Sequence, residues 1–95
     1  MPKGFVIASI SVTDPAVYAE YVKAATAAIQ KFGGTPLVRG GRCETLEGVT
    51  RLRNVVLEFE SYDTARAYYY SPEYQAALKM RAHASIANIV VVEGA

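Results

Sequence analysis

The sequence predicts an α+β domain in which one antiparallel sheet carries its helices on a single face. Three observations predict it. The chain opens with a β-branched, alternating run, FVIASISV. Two helix starts of the same form, TDP at Thr13 and SPE at Ser71, lie far apart in the chain. The apolar segments RNVVLEF and NIVVV are strand-length and rich in valine.

Each element follows from local chemistry. In Phe5 to Val12 one face is Val6, Ala8, Ile10 and Val12, wholly apolar; the other is Phe5, Ile7, Ser9 and Ser11. Asp14 or Thr13 then caps a helix, with Pro15 at the first helical position, where its missing N–H costs nothing. Tyr18, Tyr21, Val22, Ala25, Ile29 and Phe32 form its apolar stripe, and Gly33-Gly34 ends it. Pro36 to Thr45 reads as a second strand at a sheet edge, since proline cannot donate to a central ladder. A short turn at Glu47-Gly48 leads into Leu52 to Phe59, giving an antiparallel hairpin. The third strand alternates Arg53, Val55, Leu57, Phe59 against Leu52, Asn54, Val56, Glu58. Ser61 caps a short helix holding Tyr62, Ala65, Tyr68 and Tyr69, and Ser71-Pro72-Glu73 restarts it. Asn88 to Val92 closes the chain as a strand. The order is βαββαβ, the ferredoxin-like pattern of a four-stranded antiparallel sheet with helices on one face.

Totals narrow the function classes. With 95 residues, 52% hydrophobic and 20% charged, the chain is expected to be one domain over residues 1–95. A formal net charge of +1 gives no basic excess for a phosphate backbone, so no nucleic-acid partner is expected. One cysteine and one histidine make neither a disulfide nor a structural zinc site, so no metal is expected. The opening MPKGFVIASISVTD lacks the long apolar core of a secretion signal, and no segment reaches membrane-spanning length. The expected compartment is the cytoplasm.

Helices on one sheet face leave the other bare. That face would carry Phe5, Ile7, Leu52 and Val56, an apolar surface that marks an interaction site. A two-fold homodimer joining the open faces is the economical cover. Ser9, Ser11, Asn54 and Glu58, on the same face, then need partners across the interface or a wet cavity to line.

The strings LVRGG after a GG helix stop, RNVVLEF, SPEYQAAL and a terminal IVVVEG resemble one small bacterial family. It is a family of domains of unknown function, catalogued as number thirteen-thirty, in the dimeric α+β barrel superfamily. The resemblance runs in the same order from the first strand through VVEG. It implies a ferredoxin-like protomer and a sheet-to-sheet homodimer, and it implies no activity. The wider superfamily includes cofactor-independent monooxygenases, haem-degrading enzymes and lactone isomerases, a kinship of fold that does not carry chemistry with it.

LVRGGRCE, Leu37 to Glu44, is the densest local cluster. Its glycines lead from strand to strand, not into a helix N-terminus, so a bulge or bend is expected there and not a phosphate cradle. Arg39 either reaches a pocket to hold a carboxylate or pairs with Glu58 or Glu44; the ion pair is the simpler expectation. Cys43 and His83 sit on separate elements with nothing to orient them as nucleophile and base. His83, near the end of the last helix, is expected at the surface, with proton donor or haem ligand as alternatives. Tyrosines are abundant, seven of 95. Those around the helices are core by default, yet with Arg81 they also suit a pocket between helices and sheet.

The functional expectation is a cofactor-free pocket that binds or transforms a small organic acid, phenol or lactone. Arg39, Arg53, Asn54, Tyr74 and Arg81 would hold the ligand, and Glu58 or His83 would move a proton. The alternative is a non-enzymatic homodimeric structural or interaction module.

Overall fold

The computed structural model describes residues 2–95. The elements are β1 (Gly4–Val12), α1 (Pro15–Lys31), β2 (Thr35–Arg39), β3 (Arg53–Phe59), α2 (Tyr62–Tyr70), α3 (Pro72–Arg81) and β4 (Ser85–Glu93). The sheet runs β2-β3-β1-β4 with every neighbouring pair antiparallel. This is the expected ferredoxin-like α+β fold, with its second helix divided in two.

Caps fix the helix ends. The Asp14 carboxylate accepts from the Val17 N–H at 3.3 Å, and Pro15 opens α1. At the other end Gly33 adopts φ +70°, and the Gly34 N–H turns back to Ile29 O at 2.9 Å. Ser71 divides α2 from α3 by serving both. Its hydroxyl donates to Tyr68 O at 2.7 Å and accepts from the Tyr74 N–H at 3.1 Å. Pro72 follows it and cannot extend α2, because it has no N–H to donate.

Strand alternation sets the two sheet faces as the sequence predicts. Val6, Ala8, Ile10, Leu57 and Phe59 are buried under the helices. Tyr68 packs on Phe59 with ring centroids 5.0 Å apart, and Tyr74 on Tyr68 at 4.9 Å. Burying rings of this size contributes about 1.5–3 kcal/mol each. Gly4 permits β1 to pass close to the start of α2. A Cβ there would lie 2.2 Å from Ser61 O.

Two strand bounds differ from expectation. β2 stops at Arg39, not Thr45, because Gly40 and Gly41 adopt φ +71° and +87°, outside extended backbone. The expected short turn is therefore a long excursion over residues 40–52, in which 41–50 are all exposed. It still reverses near Gly48, at φ +74°. A register shift between Pro36 and Val38 bulges β2. β4 begins at Ser85, ahead of Asn88, because its whole length pairs with β1, out to Val12↔Ser85.

The open face carries an apolar row, Val38–Val56–Ile7–Val90, crossing all four strands. Ile7, Val38 and Val90 are 40%, 42% and 51% exposed. Beside it lies a polar row, Asn54–Ser9–Asn88. Here the expectation of partners across an interface needs correction for the serines. Arg51 covers that row within the same chain: its N–H reaches Ser9 Oγ at 3.2 Å, its Nε Asn88 Oδ1 at 2.8 Å and its Nη1 Ser11 Oγ at 3.1 Å.

Candidate functional site

A cavity of about 50 Å³ lies between the helices and the covered sheet face. Its floor is Val6, Ala8, Ile10, Val55 and Leu57, and its roof includes Tyr18, Tyr21, Tyr68 and Tyr74. Arg39 and Arg53 line it from the sheet edge. Holding one water takes about 10–15 Å³ by a comparable measure, so the space suits a few waters or a small molecule.

Two adjoining strands bring these arginines together. Arg39 pairs with Val55 across β2 and β3, and Arg53 lies two residues from Val55 on the same face. The Arg53 Nε donates to Tyr18 Oη at 3.2 Å, and its guanidinium carbon lies 5.5 Å from the Tyr18 ring centroid. Gly40 sits against this guanidinium, since a Cβ there would be 2.9 Å from Arg53 Nη1. The glycine pair thus ends the strand and leaves room for Arg53. Arg39 does not form the expected ion pair with Glu58 or Glu44. The ion pairs among the described residues are Glu20–Lys23 and Lys31–Glu73.

The inner end of the cavity is phenolic. Tyr21 and Tyr74 hydroxyls lie 3.0 Å apart, one donating to the other. The Tyr18 ring lies 5.2 Å from that of Tyr21, tilted by 45°, so aromatic wall is continuous from Arg53 to this pair. Burial pushes the Tyr21 hydroxyl well above the usual phenol value, and the neighbouring Tyr74 adds to the shift. Burial does the same to Tyr68. Both therefore stay protonated and carry a hydrogen to donate; neither serves as a phenolate base.

Arg81 stands behind this wall. It is 7% exposed, and its guanidinium carbon lies 5.7 Å from the Tyr21 ring centroid. Its buried Nε has no acceptor among the described residues. It does not line the cavity itself.

Three further expected site residues also fall outside the cavity. Asn54 and Glu58 project from β3 on the open face, because successive strand residues alternate, so neither belongs with Arg53 at the cavity. His83 is exposed in the turn after α3, also away from the cavity. Neither proton-shuttle candidate therefore lines the cavity, whose titratable groups are tyrosines and arginines. Tyr18, Tyr21 and Tyr68 complete the wall. Their helical spacing is the signal for them, though the same spacing marks ordinary core. Among the described residues no group of His, Cys, Asp and Glu could hold a metal ion, and no helix is long and apolar enough to cross a membrane.

Fold and cavity together define a ferredoxin-like α+β domain with a small aromatic pocket between helices and sheet. The chain belongs to the family described as a domain of unknown function, DUF1330, whose model matches residues 3–95. Among curated proteins none matches it. Its fold is similar to a protein of unknown function from Rhodopseudomonas palustris, with a TM-score of 0.77 at 15% identity, covering 99% of this chain and 83% of that one. It is also similar to a dimeric ferredoxin-like protein of unknown function from Bacteroides fragilis, with a TM-score of 0.65, 19% identity and coverage of 96% and 95%. A third similar structure is SnoaB, a cofactor-independent oxygenase from Streptomyces nogalater, with a TM-score of 0.63, 12% identity and coverage of 97% and 92%.

Proposed function

We propose that this protein binds a small organic acid in the cavity between its helices and sheet, without a cofactor, as a cytoplasmic homodimer joined through the open sheet face. The observation that carries the binding reading is the cavity itself. An apolar floor meets neutral phenolic donors at one end and Arg39 with Arg53 at the other. Apolar enclosure with few convergent polar groups is the usual design of a small-molecule site. Two guanidinium groups at its edge select an anion, and a carboxylate matches their planar donors.

The tyrosines favour binding and electrostatic support over proton abstraction. A neutral phenol can stabilise a developing oxyanion, as a donor held in place before reaction. That SnoaB is a cofactor-independent oxygenase supports chemistry of this kind on such a frame, though the fold alone is shared. The dimer rests on the exposed apolar row and on the dimeric Bacteroides fragilis neighbour. The exposed free Cys43 fits a reducing compartment.

Titration with pentanoate, followed by amide and side-chain NMR shifts, tests the binding reading. Shifts should concentrate at Tyr18, Val55 and Tyr74, and Arg53→Gln should weaken binding at least tenfold. No shift at millimolar pentanoate, or shifts confined to the open sheet face, would overturn it. The latter result favours the second reading, a structural or interaction module, which the exposed apolar row supports independently.

A further inference from the structure

Building on the pocket reading above, we propose that the cavity has two polar ends and takes a short oxo- or hydroxy-substituted carboxylic acid. The carboxylate lies at Arg53 and Arg39; the second oxygen lies at the Tyr21–Tyr74 hydroxyl pair.

Proton counting at the pair is the first support. Two phenols carry two hydrogens, and the contact between them uses one. The accepting hydroxyl keeps its own hydrogen, and both side chains line the cavity. A ligand oxygen placed there receives that hydrogen. A methyl group placed there leaves a buried donor without a partner, which is the kind of loss that discriminates between ligands.

Arg81 is the second support, and it is independent of the first. Arg81 is a buried residue whose Nε has no acceptor and which forms no ion pair among the described residues, and such a charge is costly to hold. It faces the Tyr21 ring from behind and so biases this end of the cavity toward an oxygen that carries partial negative charge. A ketone, or an enolate formed from it, fits better than an ether or an amine. Arg81 is a positioning residue here, acting through Tyr21 without touching the ligand.

The third support is size and separation. The Tyr18 ring bridges from Arg53 to Tyr21, so the two ends lie on one wall with apolar floor between them. At about 50 Å³ the space favours a short chain over long acyl chains and large ring systems. A short chain with oxygens at both ends meets all three conditions. The high titration point of Tyr21 keeps the donor in place across ordinary pH.

Calorimetric titration of levulinate, the keto derivative of pentanoate, against pentanoate itself tests this. Levulinate should bind about tenfold tighter, the worth of one well-made hydrogen bond of about 1.4 kcal/mol. Replacing Tyr21 and Tyr74 together by Phe should bring the ratio of the two affinities to within about twofold, because either single replacement leaves one hydroxyl hydrogen free to donate. Arg53→Gln should weaken both ligands together and leave the ratio standing. Circular dichroism of each variant checks that the fold persists. If both acids bind equally to the native protein, the two-ended proposal fails while the pocket reading survives. If neither binds, the pocket reading fails and takes this proposal with it. A ratio that the doubly substituted protein preserves would also overturn it.

Discussion

Titration to high pH should unfold this protein through Tyr21 and Tyr68. Burial holds both hydroxyls neutral beyond the ordinary phenol value of 10.0. Their folded values lie above their unfolded ones, so above that pH the native state keeps protons that the unfolded chain has released. The stability this represents is complete below about pH 10 and falls as pH rises. Each group lowers stability by about 1.4 kcal/mol per pH unit, and the two together by about 2.7. A domain of this size has about 5–14 kcal/mol to lose, which places the midpoint near pH 12 for one at the lower end. Phenolate absorbance in the near ultraviolet and far-ultraviolet circular dichroism, recorded together, provide the assay. Part of the phenolate signal should develop while the protein is folded, and the remainder only as the dichroism collapses. Substituting Phe at both Tyr21 and Tyr68 should abolish the second phase. A single phase completed by about pH 11 with native dichroism would show that these hydroxyls are not held neutral and would remove the basis for a neutral donor wall.

Three further outcomes test other parts of the structure. Val56→Asp puts a charge into the apolar row of the open face. If that face joins two copies, an uncompensated buried charge worth about 3–5 kcal/mol should raise the dissociation constant at least a hundredfold by sedimentation; an unchanged dimer would place the interface elsewhere. Gly4→Ala sets a methyl group against Ser61 O, where only backbone can give way, and should lower stability by about 1–3 kcal/mol, seen as a lower urea midpoint. The Lys31 ammonium, hydrogen-bonded to Glu73, holds that carboxyl below its usual 4.5. Its contribution is therefore present at neutral pH and lost as pH falls through the lowered value, so the stability gap between native protein and Glu73→Gln should narrow as pH falls below 4.5, read by thermal melts across the acid range.

Sequence made α1 legible almost to the residue, because Asp14-Pro15 and Gly33-Gly34 act through local backbone chemistry. Ser71-Pro72 was as plain, since a cap and a proline mark a boundary without tertiary help. β2 was read too long because Gly40 and Gly41 are compatible with strand or turn until their φ values are known. The face assignment of β1 and β3 followed from period-two alternation and holds in the structure. That same alternation separates Asn54 and Glu58 from Arg53, so grouping the three as one site joined chemistry that the strand itself divides. Arg51 gave no sequence signal at all: its partners Ser9, Ser11 and Asn88 lie on two strands remote in sequence. The Tyr21–Tyr74 contact was equally hidden, because it joins α1 to α3 across the core. Gly4 was silent for a similar reason, its constraint being set by a backbone oxygen far along the chain.

Where a small acid sits in the protein is the most direct measurement. A crystal of the protein soaked with levulinate should show the carboxylate on the Arg53 guanidinium and the ketone oxygen within hydrogen-bond distance of Tyr21 or Tyr74. Levulinate on the open sheet face, or a cavity closed by its own side chains while the acid is present in excess, would contradict it.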